Sequence, residues 1–294
     1  MTGPRWSVEG GNWPNREASR FVETPGMKWH VQIAGSGPAL LLLHGTGAAT
    51  HSWRDVLPAL AGSFTVIAPD LPGHGFTSGR PSSGLNLRGM ASALSDLLEK
   101  LEMKPALIVG HSAGAAIALQ LARACGEPVP VVGLNPALMP FPGLAAKLFP
   151  SLARMLFINP LMPRMLAGIA RIPGETGRFL RRATASTIDA RGVAAYEVLM
   201  GNPRHCAGAM EMMANWDLEA LCRDLPKHPG PVLLIHSSGD AAIPLPSVQE
   251  AARRIPHCHL EVLPELGHLA HEERPDIVAE QILGFARQQQ EDST

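Results

Sequence analysis

Over most of this chain, apolar residues come in short unbroken runs separated by turns. Residues 39–43 (Ala-Leu-Leu-Leu-Leu), 107–109, 129–134 and 231–236 are apolar almost throughout. A strand that is apolar on both faces belongs to a parallel sheet covered on both sides. Residues 64–68 and 259–263 read as further strands, and 27–34 (Met-Lys-Trp-His-Val-Gln-Ile-Ala) alternates in the manner of an edge strand. Between them lie helical patterns. Residues 86–101 put Leu87, Met90, Leu94, Leu97, Leu98 and Leu101 on one face, and 52–60, 247–254 and 276–288 supply shorter or later helices. Strands alternating with helices at this spacing predict an α/β fold with a doubly wound, mostly parallel sheet.

The alternation lapses from residue 136 to 227. That segment holds eight of the twelve methionines, repeated prolines and no convincing strand. It reads as a helical cap (136–227) inserted into a core made of residues 21–135 and 228–294. Residues 1–20, without periodicity, read as an arm laid over the surface with Trp6 and Trp13 as anchors.

The chemistry gathers where strands end. At residues 106–119 an apolar strand meets Gly110-His111-Ser112-Ala113-Gly114 and passes into an Ala/Leu helix. Gly-x-Ser-x-Gly between strand and helix is the pattern of a nucleophile elbow, a turn tight enough to need glycine on either side of a strained serine. It lifts the Ser112 hydroxyl above the sheet and leaves the Ala113 N–H at a helix N-terminus, where a developing oxyanion could bind. A serine needs a base, and the base an orienting acid. Asp240 follows the 231–236 strand and His268 follows the 259–263 strand, giving the chain order Ser…Asp…His expected of an elbow of this kind. All three belong at the carboxyl edge of one sheet, where open α/β sheets bind ligands. The loop after the 39–43 strand, His44-Gly45-Thr46-Gly47, can bring the Thr46 N–H as second oxyanion donor. There Gly45 lets backbone approach a substrate, and His44 is expected to pin the loop. Gly45, His111, Met139 and Met213 are the expected substrate-binding residues, because flexible methionines suit an apolar pocket and equally a plain core.

His-Gly-Thr-Gly (44–47), Asp-Leu-Pro-Gly-His-Gly-Phe-Thr (70–77), Gly-His-Ser-Ala-Gly (110–114), Gly-Asp-Ala-Ala-Ile-Pro (239–244) and Gly-His-Leu-Ala-His-Glu-Glu-Arg-Pro (267–275) together resemble the α/β-hydrolase superfamily. The resemblance runs from about residue 21 to the C-terminus and implies a hydrolase. A serine nucleophile argues against the dehalogenase and epoxide hydrolase branches, which use aspartate. Residues 12–21 (Asn-Trp-Pro-Asn-Arg-Glu-Ala-Ser-Arg-Phe) and 43–54 resemble, more narrowly, the magnesium-chelatase accessory proteins of bacteriochlorophyll biosynthesis, which implies a tetrapyrrole-related setting without a substrate. The expected activity is ester hydrolysis. The alternatives are C–C bond hydrolysis by the same residues, or a non-catalytic chelatase accessory or tetrapyrrole-binding protein.

Composition narrows partners more than fold. A net charge of −1 and a pI near 6.9 make no case for nucleic acid. No leader-like or 18-residue apolar run occurs, so a cytoplasmic protein is expected. Four scattered cysteines read as reduced thiols, and no nucleotide-binding glycine motif follows a strand, so no cofactor is expected. His257, His259, His268 and His271 do not form a ligand set with metal spacing, and no metal is expected. The cap is different. Residues 143–182 carry seven basic side chains against one acid, Glu175, interleaved with Leu, Met, Phe and Ile. This is either the ordinary polar face of a lid or a surface that meets a membrane or a carboxylated tetrapyrrole.

Overall fold

In the computed structural model, which describes residues 3–140, 159 and 161–291, nine strands form one sheet. They are β1 (Ser19–Thr24), β2 (Met27–Ala34), β3 (Ala39–Leu43), β4 (Thr65–Pro69), β5 (Ser78–Gly79), β6 (Pro105–His111), β7 (Val131–Leu134), β8 (Val232–Ser237) and β9 (Cys258–Leu263). Their order is β1-β2-β4-β3-β6-β7-β8-β9, with the short β5 paired to β2. Strands β3, β4 and β6 to β9 run parallel, and β1, β2 and β5 pair antiparallel.

Period-two alternation explains the two cores. Leu41 and Leu43 of β3 face one layer of helices, and Leu40 and Leu42 face the other. The first layer is α3 (Leu87–Lys100) and α4 (Ala113–Ala122), after two short helices, α1 (Trp6–Glu9) and α2 (Val56–Leu60). Asn86 caps α3 by accepting the Gly89 N–H at 2.9 Å, the kind of stop signal that fixes a helix start. Between β7 and β8 lie α5 (Met162–Ala170), α6 (Glu175–Thr184), α7 (Ala190–Met200), α8 (Pro203–Ala214) and α9 (Leu218–Asp224). The expected cap includes residues 141–158 and 160, which lie outside the described residues. After β8 come α10 (Leu245–Arg254), α11 (Ala270–Glu273) and α12 (Pro275–Glu291); α2 and α12 cover the second face of the sheet.

Two expectations are corrected. Strand β2 is not the edge, because β1 lies outside it within what was read as arm and core boundary. Its alternating His30 and Gln32 are both fully buried. His30 Nδ1 lies 2.8 Å from Asp70 Oδ2, and the Gln32 amide donates to the Pro14 carbonyl at 2.6 Å. The polar positions face a layer formed by the N-terminal arm, so alternation there marks polar partners and not solvent. The expected 52–60 helix is also split, into a 3₁₀ turn (Thr50–Trp53) and α2. Trp13 anchors the arm, with its indole N–H on Thr50 Oγ1 at 2.9 Å.

Helix α8 reaches the loops after β3 and β4. A Cβ on Gly208 would stand 2.0 Å from the Gly73 carbonyl oxygen, so two backbones touch there. Gly208→Ala should lower stability by about 1–3 kcal/mol or more, since neither partner is a side chain that can swing away. An unchanged denaturant midpoint would contradict that contact.

Candidate active site

Strand β6 delivers its last residues into a turn that only this spelling allows. Ser112 has φ 52° and ψ −117°, a region L residues seldom occupy. A Cβ on Gly110 would sit 2.4 Å from the Gly114 carbonyl group, and one on Gly114 would sit 2.3 Å from the Leu43 carbonyl oxygen. Both glycines are therefore required by backbone crossing backbone. Ser112 N–H bonds the Leu134 carbonyl at 2.9 Å, and the Ser112 carbonyl accepts from Ala137 N–H at 3.1 Å, tying the elbow to the next strand end. Ala113 opens α4, so its N–H has no partner within the helix.

Two further strand ends meet this turn. His268 Nδ1 donates to Asp240 Oδ2 at 2.7 Å. The same oxygen accepts Asn135 Nδ2 at 2.7 Å, and Asp240 Oδ1 accepts the Ala242 and Ile243 N–H groups at 2.7 and 2.9 Å. Burial alone would raise the Asp240 carboxyl. The bonds from His268, Asn135 and backbone outweigh it and hold the group below its ordinary range, so it stays ionised. Asn135, at the end of a strand but unable to act as an ionised acid, is not among the expected site residues. Its φ of 43° after β7 is the one local signal, and it aims the amide across to β8.

His111 links the serine to the imidazole. Its Nε2–H donates to the His268 carbonyl at 2.9 Å, and the two rings lie 4.7 Å apart. The expected substrate contact is thus turned inward. Burial, aided by His268, pulls the His111 pKa down to about 3, so the ring is neutral. A Cβ on Gly45 would come 2.9 Å from His111 Nδ1 and 3.1 Å from Ser112 Cβ, so Gly45 brings the Thr46 loop flush against the elbow. His44 holds that loop, donating from Nδ1 to the Gly45 carbonyl at 2.8 Å and accepting the Leu71 N–H on Nε2 at 2.9 Å. His205 of α8 does the same from above, accepting Gly75 N–H and donating to the Gly47 carbonyl, both at 3.0 Å.

Of the expected methionines, Met139 is half-buried with Sδ 3.6 Å from Cys222 Sγ, and Met213 is 46% exposed. The methionine brought to the Thr46 loop is Met212, fully buried with its Sδ 3.6 Å from Thr46 Oγ1. A one-residue slip on a helix turns a side chain by about 100°, which the Met-Met pair could not resolve from sequence.

Residues 184–187, at the junction of α6 and α7, are bonded to the His268 loop. His268 N–H bonds the Thr184 carbonyl at 2.8 Å, Leu269 N–H bonds Ser186 Oγ at 2.8 Å, and Thr187 N–H bonds Glu273 Oε1 at 2.8 Å. Deeper in, the buried Arg54 contacts Glu272 and reaches Asp189 Oδ1 at 3.0 Å, while Tyr196 donates to Glu272 Oε1 at 2.8 Å. Burial pushes the Glu272 carboxyl up to about 7 against the pull of Arg54 and Tyr196. No group of His, Cys, Asp and Glu among the described residues has the arrangement of a metal site.

Residues 40–281 match the family described as Alpha/beta hydrolase family. Across 281 residues, 93% of this chain and 96% of the other, the sequence is 43% identical to the magnesium-chelatase 30 kDa subunit of Rhodobacter capsulatus. It is 30% identical to the pimeloyl-[acyl-carrier protein] methyl ester esterase of Aromatoleum aromaticum, covering 84% of this chain and 98% of that one. The structure of an alpha/beta hydrolase fold protein from Burkholderia ambifaria superposes with a TM-score of 0.73 at 22% identity, over 91% of this chain and 97% of that one.

Proposed function

The chain belongs to the alpha/beta hydrolase family, and from that membership we propose that it is a cofactor-independent serine hydrolase acting on carboxylic esters. One observation carries the reading. An ionised Asp240 holds His268 at 2.7 Å, and His111, the residue before the elbow serine, bonds the His268 carbonyl at 2.9 Å. In this reading His268 Nε2 takes the Ser112 proton as Oγ attacks the ester carbonyl. The Thr46 and Ala113 N–H groups hold the oxyanion of the tetrahedral intermediate, and His268 then protonates the departing alkoxide. A water, deprotonated by the same imidazole, frees the acid. Asp240 fixes the tautomer and stabilises the imidazolium. The esterase relative, at 30% identity over nearly its whole length, supports an ester as substrate.

The test is labelling with a fluorophosphonate probe, followed by turnover of short aryl esters with a burst of acyl-enzyme. Asp240→Asn sharpens it. Donors face both carboxylate oxygens, so the amide NH₂ meets a donor whichever way it turns. The variant should remain folded yet lose roughly 10³–10⁴ in kcat through a mis-set tautomer. A nearly silent Asp240→Asn would assign the orienting role to another group.

The 43% identity to a magnesium-chelatase subunit favours a second reading, an accessory role beside a magnesium chelatase in a tetrapyrrole pathway. The two readings are separable. Stimulation of chelatase activity by a Ser112→Ala variant as strong as by wild type would support the accessory role and make ester chemistry irrelevant to it.

A further inference from the structure

Ten large hydrophobic side chains are exposed among the described residues, and six of them crowd into residues 161–179. They are Leu161 (64% exposed), Met165, Leu166, Ile169, Ile172 and Phe179 (54%). Helix α5 shows why this is unusual. Its Pro163, Ala167 and Ala170 are buried, so that side packs on the protein. Leu161, Met165, Ile169 and Ile172, spaced by four, four and three, lie on the opposite side, where a surface helix ordinarily carries polar residues. A helix apolar on both sides has two covers, and only one of them lies among the described residues. Exposed apolar clusters of this kind mark interaction surfaces.

The charge beside the stripe says what the second cover is. Arg171, Arg181 and Arg182 are exposed and make no ion pair among the described residues, while Arg178 is paired with the lone acid, Glu175. The face is therefore apolar and cationic at once. A second copy of this chain would set like charges against one another across a two-fold axis. A bilayer rich in anionic phospholipid satisfies both properties, with acyl chains under the Leu, Ile and Phe side chains and phosphates at the guanidinium groups. We infer that the α5–α6 face docks on an anionic membrane surface. No helix of the described residues is long and apolar enough to cross a membrane.

Sedimentation with vesicles of phosphatidylcholine, with and without phosphatidylglycerol, tests this. Wild type should bind the phosphatidylglycerol vesicles, and added salt should weaken the binding. Changing Arg171, Arg181 and Arg182 together to Gln should lower affinity about a hundredfold. Changing Ile169, Ile172 and Phe179 to Ser should lower it as well, and in high salt the loss should persist. Both variants are compared with wild type by thermal unfolding, which these exposed changes should leave unaltered. Three results would overturn the inference: no vesicle binding by wild type, binding that both variants retain, or quenching of a carboxylated porphyrin without any vesicle binding. None of them depends on ester hydrolysis.

Discussion

Ser112→Ala should abolish labelling by a fluorophosphonate probe and reduce ester turnover about 10⁵–10⁶-fold, leaving only what substrate binding and oxyanion donors supply. The change removes one oxygen at a position with φ 52°, and alanine has the same Cβ that the elbow already accommodates. Thermal stability should therefore stay close to wild type. Fold and chemistry are separable at this residue, unlike at Gly110 or Gly114, where any side chain strikes backbone. Turnover of the purified variant within tenfold of wild type would remove Ser112 from the mechanism.

Acid should unfold this protein cooperatively between about pH 6 and pH 4. Eight histidines (His44, His51, His74, His111, His205, His228, His236 and His271) are held below the ordinary value of 6.5, in every case chiefly because burial disfavours the charged ring. His205 and His228 fall to about 4 and His111 to about 3. The folded rings refuse protons that the unfolded chain accepts below pH 6.5. Their contribution is complete above that pH and is lost as the pH falls toward the folded values. Each such histidine costs about 1.4 kcal/mol per pH unit within that window, against a typical total stability of about 5–15 kcal/mol. Even a quarter of the combined effect would consume several kcal/mol within two units. Glu272 acts oppositely, since its raised pKa lets the folded state bind a proton first, but it is one group against eight. Asp70, held well below the carboxylate range by His30 and backbone N–H groups despite its burial, adds a further loss only at lower pH. Thermal unfolding followed by circular dichroism should show a steep fall in midpoint from pH 7 to pH 5. A flat profile would mean that these rings have water or partners in reach.

The parallel strands were legible because a buried strand leaves no choice of face: residues 39–43, 107–109 and 231–236 can only be interior. The motifs were legible because backbone crossings dictate glycine, as at Gly110 and Gly114. Strand β1 was not, because Ser-Arg-Phe-Val-Glu-Thr is half exposed and shows little apolar pattern. The inward turn of His111, the Asn135 bond to Asp240 and the Arg54–Glu272 contact were equally hidden. Each joins residues far apart in sequence, and nothing near Arg54 signals a partner 218 positions away. Polar residues reveal where they go only when their partners are known.

The three bonds from residues 184–187 to the loop of His268 and Glu273 have a consequence for diversification. In many enzymes of two layers, the upper layer can be exchanged to alter what enters while the lower layer keeps its chemistry. Here the backbone that positions the imidazole is bonded to the upper layer itself. A chimera carrying a foreign segment between β7 and β8 would lose the Thr184 carbonyl and the Ser186 hydroxyl, and with them the register of His268. New specificities in this lineage should therefore arise by point substitution within α5 to α9, and a wholesale exchange should succeed only when it brings its own 184–187 clasp.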